Sequence, residues 1–571
     1  MSNPLGVVGS YLDVAIVIGV ILAISPSIGN FMARVFTNRP TFGEGVFGPI
    51  ERAIYRLLGV NPRHSMRVKE YVIAFLMSNA ALIIWIFFLL QLQNRLPLAA
   101  PYVSPMSWDL AFHTSTSFST NTDFTHFVTE SQVTEGALLL GLQVAMFLSP
   151  AAGLAILAAF IRGFVRKDGT LGNYFVDITR ATVRILVPMS VIGALVLVFL
   201  GLPETFATSI QVHTLLGSIQ TIPLGPVASW QSIMLLGSNG GGIFAANSTH
   251  PFENPSALSN LFEAGLMMVI PFASPFAFAA AVRRKGEAFP YMGTILIVML
   301  VGMGLLIAGQ ISANPQLSPL AALSQNSFYA PGQEVRFTLP EGALFQTVSV
   351  YANVGANNMA LGALSPVGQM SMLFGMFTQS TPGGVGTGFG NLLSNALIAI
   401  FVGGLMVGRT PEYLGKKIGR QQMGWAASLL LIHPVMIFVP LVATLWGGFA
   451  TLPAGIGASA HTFTSILYEF TSEAANNGSA MGSVYVNDTT VWFNVVGGVV
   501  MVVCRFLPMV AMLMISHHFS VQSPLPPGPG TLKTQSFTFM IYLTLFLIIL
   551  TALLFLPALA LGPLTQIGAG G

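Results

Sequence analysis

The sequence predicts an all-α integral membrane protein of about ten transmembrane helices, built as four repeats of helix, short re-entrant helix, polar turn and helix. Three observations predict it. The 571 residues are 53% hydrophobic and only 8% charged, with a mean hydropathy of +0.73, a balance that soluble domains of this length do not show. Basic residues fall in alternate inter-helix loops. Polar, glycine- or asparagine-bearing turns recur with a period near 120 residues.

The spans come first. Tyr71 to Leu90 is twenty residues without a charge, enough to cross about 30 Å of hydrocarbon at about 1.5 Å per residue. Comparable runs centre near residues 22, 150, 192, 270, 300, 400, 437, 503 and 547. The first lacks a basic flank and a small-residue cleavage site, so it reads as a retained helix. Seven Lys and Arg lie between Arg34 and Lys69, five between Arg162 and Arg184, three at Arg283 to Lys285, and four between Arg409 and Arg420; Arg505 and Lys533 follow. These clusters succeed spans 1, 3, 5, 7 and 9, and only Arg95 and Arg336 lie elsewhere. The positive-inside rule then makes those five loops cytoplasmic and puts both termini outside. Acidic residues lean to the other side, and Asp123, Glu130, Glu253 and Glu473 are expected near an outer mouth, where they would concentrate cations. The single cysteine, Cys504, excludes an intramolecular disulfide and a cysteine metal cage.

Four outer connections each hold a short helix ending in a turn: Ser119-Thr120-Asn121-Thr122, Ser238-Asn239-Gly240-Gly241, Asn353-Val354-Gly355 and Asn476-Asn477-Gly478. Asn121, Asn239, Asn353 and Asn477 are spaced by 118, 114 and 124 residues. Irregular backbone in a membrane is tolerated only when buried in protein or lining a water-filled cavity. Four such turns on one axis would present carbonyls that replace the water shell of a cation, with four helix C-termini adding partial negative charge. The turns carry no Arg or Lys, which disfavours anions, and no carboxylate, which disfavours divalent ions; potassium or sodium remains.

The stretch LGSNGGGIFAANSTHPFENPSALSN, the run Val402 to Gly419, the turn Ala474 to Ala480, the ending Phe555 to Leu564, Ser107 to Leu110 and Ile161 to Phe164 together resemble KdpA, the potassium-binding subunit of the bacterial Kdp potassium-transporting ATPase. The resemblance covers nearly the whole chain. It implies the fold of the potassium channel and transporter superfamily, with four non-identical repeats around one selectivity filter, in the bacterial inner membrane. It also implies potassium as the transported ligand, no organic cofactor, and filter residues at the four turns just named. The expected partners are the P-type ATPase, which is the B subunit of that complex, its C subunit, and a small single-span subunit. Membrane lipid surrounds them, and no nucleic acid is expected. The expected layout is a first span and basic loop over 1–68, repeats over 69–168, 169–286, 287–422 and 423–520, and a last span over 521–571. Asp123-Phe124-Thr125 departs from the Asn-Trp-Gln common in the family, and Thr378 to Pro382 lacks the glutamate often found there.

The chain has no phosphorylated-aspartate DKTG signature and no GxxxxGK[ST] loop, and its cytoplasmic loops are too short for a nucleotide-binding domain. It is expected to be a non-catalytic subunit. No intramembrane HExxH, GxSxG or aspartate pair supports an enzyme. An autonomous channel or ion-coupled potassium transporter of the same superfamily is the alternative. In the third repeat, Thr378 to Gly384 interrupts a helix that would otherwise run from about Leu361 to Val407. Pro382, Gly383, Gly384, Gly386 and Gly388 are therefore gate candidates; no strand precedes them, so they do not form a dinucleotide loop. His113 and His126 read as hydrogen-bonded packing residues. Arg409, Lys416 and Lys417 are either a docking site for a cytoplasmic partner or membrane-side anchors.

Overall fold

In the computed structural model, the described residues are 4–98, 103–311, 332–408, 411–449, 459–481, 490–523 and 532–568. Among them, ten helices are long and apolar enough to cross a membrane: Val8–Phe36, Val68–Gln91, Glu135–Val165, Tyr174–Phe199, Ala257–Ala281, Lys285–Ile311, Thr387–Met406, Arg420–Gly447, Val491–Ser520 and Phe537–Ile567. We number them spans 1 to 10. Four of the shorter helices between them are pore helices: pore helix 1, Trp108–Ser119; 2, Val227–Leu236; 3, Leu339–Tyr351; and 4, Ala460–Ala475.

Burial sorts the spans. The most apolar stretch of spans 2, 4, 6 and 8 is 33, 39, 50 and 39% buried, against 83, 83, 56 and 61% for spans 3, 5, 7 and 9. In every repeat the second helix is thus the inner one. It packs against more protein, and the first helix keeps the broader apolar outer face, as lipid contact requires. Small residues allow the close approaches: a Cβ on Gly163 of span 3 would collide with Ser516 of span 9.

The five basic loops meet at one end. Met66–Arg67 pairs with Thr170–Gly172 in a two-stranded ribbon joining the first loop to the second. Lys416 donates to the carbonyls of Gly163 at 2.8 Å, Arg166 at 2.7 Å and Phe519 at 2.8 Å. Glu287 accepts from Tyr413 Oη at 2.9 Å and from Thr534 Oγ1 at 2.8 Å. Lys416 is fully buried at the C-terminal ends of spans 3 and 9, where a cation complements free carbonyls, so it is an anchor and not a docking residue. Burial, with Lys167 alongside, brings its ammonium down to about 8. Lys417 is exposed, and Arg409 lies outside the described residues. At the opposite end a hairpin, Ser209–His213 with Ile219–Pro223, projects between span 4 and pore helix 2. Sequence reasoning missed it, because its alternation covers only five residues per strand between two much stronger helical signals.

Arg162 and Asp177 lock the basic end. Arg162 Nη1 and Nη2 meet the two carboxylate oxygens at 2.5 and 2.7 Å, and the same nitrogens reach Leu171 O and Phe36 O, both at 2.9 Å. Tyr71 donates to Asp177 Oδ2 at 2.9 Å, so spans 1 to 4 share one buried ion pair. Removing one partner leaves a buried charge alone. We expect Asp177→Ala to destabilise the protein by about 3–5 kcal/mol, read as a lower unfolding midpoint in detergent.

Candidate ion-binding site: a ring of four turns

Each pore helix ends the same way. One residue adopts a left-handed conformation, Asn121 (φ 60), Ser238 (φ 52), Asn353 (φ 52) and Asn476 (φ 53). The next residue's N–H bonds a carbonyl five residues back: Thr122 to Ser117 at 3.0 Å, Asn239 to Met234 at 2.8 Å, Val354 to Ser349 at 2.8 Å and Asn477 to Ser472 at 2.9 Å. This is the Schellman closure, and it satisfies helix-end carbonyls that burial would otherwise orphan. The geometry corrects the register read from sequence. Asn121 and Asn353 match Ser238 and Asn476, not Asn239 and Asn477. Asparagine repeats in letter, but the backbone conformation is what repeats in space.

The turns form a closed ring. A Cβ on Gly240 would stand 2.9 Å from Thr122 O and 3.1 Å from Val354 O, so the second turn sits between the first and third. A Cβ on Gly355 would collide with Asn477 O, and one on Gly478 with Thr122 O, which joins third to fourth and fourth to first. Only glycine, at φ 79 and φ 91 in these last two cases, lets neighbouring carbonyls come so close. Side chains tie the ring together. Asn121 Nδ2 donates to Gly237 O at 3.3 Å and also to Ser238 O. Asn476 Nδ2 reaches Thr122 Oγ1 at 2.9 Å, and Asn477 Nδ2 reaches Val350 O at 3.0 Å. Asn239 Nδ2 instead bonds Met146 O and Ile233 O, both at 3.0 Å, anchoring its turn to span 3. Thr120 Oγ1 meets Thr122 Oγ1 at 2.8 Å, and Trp230 Nε1 donates to Gly241 O at 2.8 Å. Ser119 Oγ, Ser238 Oγ and Asn353 Oδ1 are buried polar atoms without a hydrogen-bond partner.

Two expectations about charge change. The ring is not free of carboxylate: Asp123 is fully buried beside it, and its Oδ2 accepts from Gly240 N at 3.3 Å. Nor are the four acidic residues assigned to an outer mouth equivalent. Asp123, Glu253 and Glu473 are fully buried, Glu253 accepting from Phe244 N at 3.0 Å. Glu130 alone is partly open, and it bonds Ala245 N at 2.9 Å. The loop carboxylates of Asp123 and Glu253 are drawn inward by backbone N–H groups, which sequence alone does not locate, whereas Glu473 is buried on pore helix 4.

The break in the second helix of the third repeat lies against the third turn. It separates Pro366–Thr378 from span 7, Thr387–Met406, with Gln379 (φ 50), Gly383 (φ 69) and Gly386 (φ 79) between them. Gly383 N donates to Tyr351 O at 2.9 Å, the last residue of pore helix 3, and a Cβ on Gly384 would lie 3.7 Å from that of Asn353. Gly386 presses on the backbone of Gly153 in span 3, and Gly388 packs on Pro382 O and Gly383. Arg505 of span 9 donates to Thr387 Oγ1 at 3.1 Å. The break therefore touches the third turn and spans 3 and 9. A cavity of about 510 Å³ lies elsewhere, at the basic end among Arg162, Arg166 and Arg180, and contains no ring residue.

Of the two histidines flanking the first turn, His126 is hydrogen-bonded as expected, to Asn494 at 2.7 Å and Glu469 at 3.0 Å. His113 is not: neither ring nitrogen has a partner.

Residues 15–567 match the family described as potassium-transporting ATPase A subunit. The chain belongs to that family. It is 37% identical to the potassium-transporting ATPase potassium-binding subunit of a Nostoc species over 556 residues, covering 97% of this chain and 98% of that one. It is also 37% identical to the same-named protein of Geobacillus kaustophilus over 546 residues, 96 and 97% of the two chains. Among solved structures it resembles the potassium transporter TrkH of Vibrio parahaemolyticus, with a TM-score of 0.53 and 15% identity over 88% of this chain and 96% of that one. That likeness speaks for the fold alone, and the ten apolar helices make it a multi-pass membrane protein.

Because Gly355 and Gly478 each face a neighbouring carbonyl, Gly355→Ala and Gly478→Ala should spread the ring. We expect each to weaken cation binding at least about tenfold, about 1.4 kcal/mol, in calorimetric titration of the purified protein.

Proposed function

We propose that this chain is the potassium-binding and selectivity subunit of an ATP-driven high-affinity uptake complex. The observation that carries the reading is the closed ring of four turns, each at the C-terminal end of a buried helix, with glycine in the second, third and fourth where carbonyls converge. Helix C-termini and backbone carbonyls favour a monovalent cation, and the Asp123 carboxylate adds negative charge beside them. Ser119 to Thr122, Ser238 to Gly241, Asn353 to Gly355 and Asn476 to Gly478 would form the filter. In this reading potassium arrives from the outside, is selected at the ring, and passes to the P-type ATPase, the B subunit of the complex, which hydrolyses ATP. The C subunit and a small single-span protein make up the remainder of the complex. The named relatives support a potassium-binding role, and the interlocked basic loops support an inner-membrane orientation with both termini outside. Pro382, Gly383, Gly384, Gly386 and Gly388 would gate the path below the filter, since Gly383 hangs from the end of pore helix 3.

The deciding experiment measures potassium, rubidium and sodium binding to the purified chain, alone and with a co-expressed P-type ATPase. Preference for potassium by the chain alone, with uptake and ATP hydrolysis only in the complex, is expected. Robust potassium flux through the lone chain in liposomes would instead establish an autonomous channel or transporter. Gly240→Asp should lower both affinity and potassium-over-sodium discrimination, because its side chain would crowd Thr122 O and Val354 O and add charge to the ring. Gly383→Ala combined with Gly386→Ala should slow uptake by the complex several-fold while leaving equilibrium potassium binding within about twofold. Equal losses in both would place these glycines in ion binding rather than gating.

A further inference from the structure

Behind the ring, between pore helices 1 and 4, lies a polar cluster that the potassium path does not use. His113 and Glu473 are fully buried, and neither the two ring nitrogens nor the two carboxylate oxygens have a hydrogen-bond partner. His113 Nε2 lies 3.7 Å from Glu473 Oε1. His126 stacks on His113, ring centroids 3.7 Å apart and 15° from parallel, and its Nε2 is 3.0 Å from Glu469 Oε1. One ligand atom from each of His113, His126 and Glu473 falls within 4.8 Å of the others.

We propose that this cluster binds a divalent transition-metal ion of the zinc class, with His113, His126 and Glu473 as ligands and the Glu469 carboxylate beside them. Ligands held about 2.0–2.1 Å from a tetrahedral zinc lie about 3.3 Å from one another, so ligand atoms within 4.8 Å must draw together and the two stacked rings must rotate to aim both Nε2 atoms at one ion. Charge balances as well: two neutral imidazoles and two carboxylates sum to −2, which a divalent ion cancels in a place where unpaired charge is costly. Imidazole nitrogen selects zinc and its neighbours over potassium, calcium or magnesium, which favour all-oxygen shells. An outer chain orients the site. His126 Nδ1 donates to Asn494 Oδ1 at 2.7 Å, and Asn494 Nδ2 donates to Asp109 Oδ2 at 2.8 Å, which fixes the tautomer with Nε2 toward the metal. The ion would clamp the two pore helices that end in the first and fourth turns of the ring.

The test uses the full, untagged chain in detergent, stripped with chelator and titrated with Co²⁺. We expect one Co²⁺ per chain with the visible absorption of a four-coordinate site, displaced by Zn²⁺, and unaffected by His518→Ala at the opposite end. His113→Ala and Glu473→Gln should each weaken binding at least about tenfold. Absence of saturable Co²⁺ binding by the wild-type chain would overturn the proposal, as would binding that survives both substitutions together. If the variants do not fold, X-ray absorption at the zinc edge of the wild-type protein decides: mixed nitrogen and oxygen ligands are expected, and an oxygen-only shell refutes the site. Potassium binding measured on the same samples keeps this result separate from the function of the ring.

Discussion

A helix that ends inside a protein must do something with its last carbonyls, and this structure depends on how four helices solve that problem. Each closes its final turn through one left-handed residue and an N–H bond five residues back, at 2.8 to 3.0 Å. The closure satisfies part of the helix end and leaves the next carbonyls pointing away from it. Four such ends brought together make a ring whose polar character is built from backbone, so its geometry is as rigid as the helices that carry it.

The rest of the molecule holds those ends in place. Spans 3, 5, 7 and 9 are the buried inner helices. They hold the turns through bonds such as Asn239 to Met146 O and Asn476 to Met501 O, and the break just before span 7 bonds directly to Tyr351 at the end of pore helix 3. At the basic end, Arg162–Asp177 and Lys416 join loops that are far apart in sequence. The Arg–Asp ion pair and the buried lysine therefore sit away from the ring, and the side-chain ties between turns are neutral amide and hydroxyl hydrogen bonds. Asp123 stands out as the carboxylate placed against a ring glycine.

The departure at Asp123-Phe124-Thr125 gains a context from its neighbours. Phe124 packs edge-on against His126, with centroids 5.0 Å apart, and His126 stacks on His113 beside Glu473. Residues that look unremarkable one at a time in the first and fourth repeats thus meet behind the ring.

Much of the fold was legible because hydrophobic length and charge sign are local properties. Ten apolar runs, five alternating basic clusters and a broken helix at Thr378 to Gly384 can be read without any contact being known. The glycine-rich turns were legible for the same reason, since a conformation that only glycine or asparagine adopts easily leaves its mark in the chain. The equivalence of Ser238 with Asn121 was not, because backbone dihedrals, rather than residue names, define it. The inward turn of Glu253 and Glu473, the burial of Lys416 and the meeting of His113 with Glu473 were decided by tertiary structure alone. His113 and Glu473 are separated by 360 residues, and no local pattern encodes a contact made only when two pore helices pack side by side.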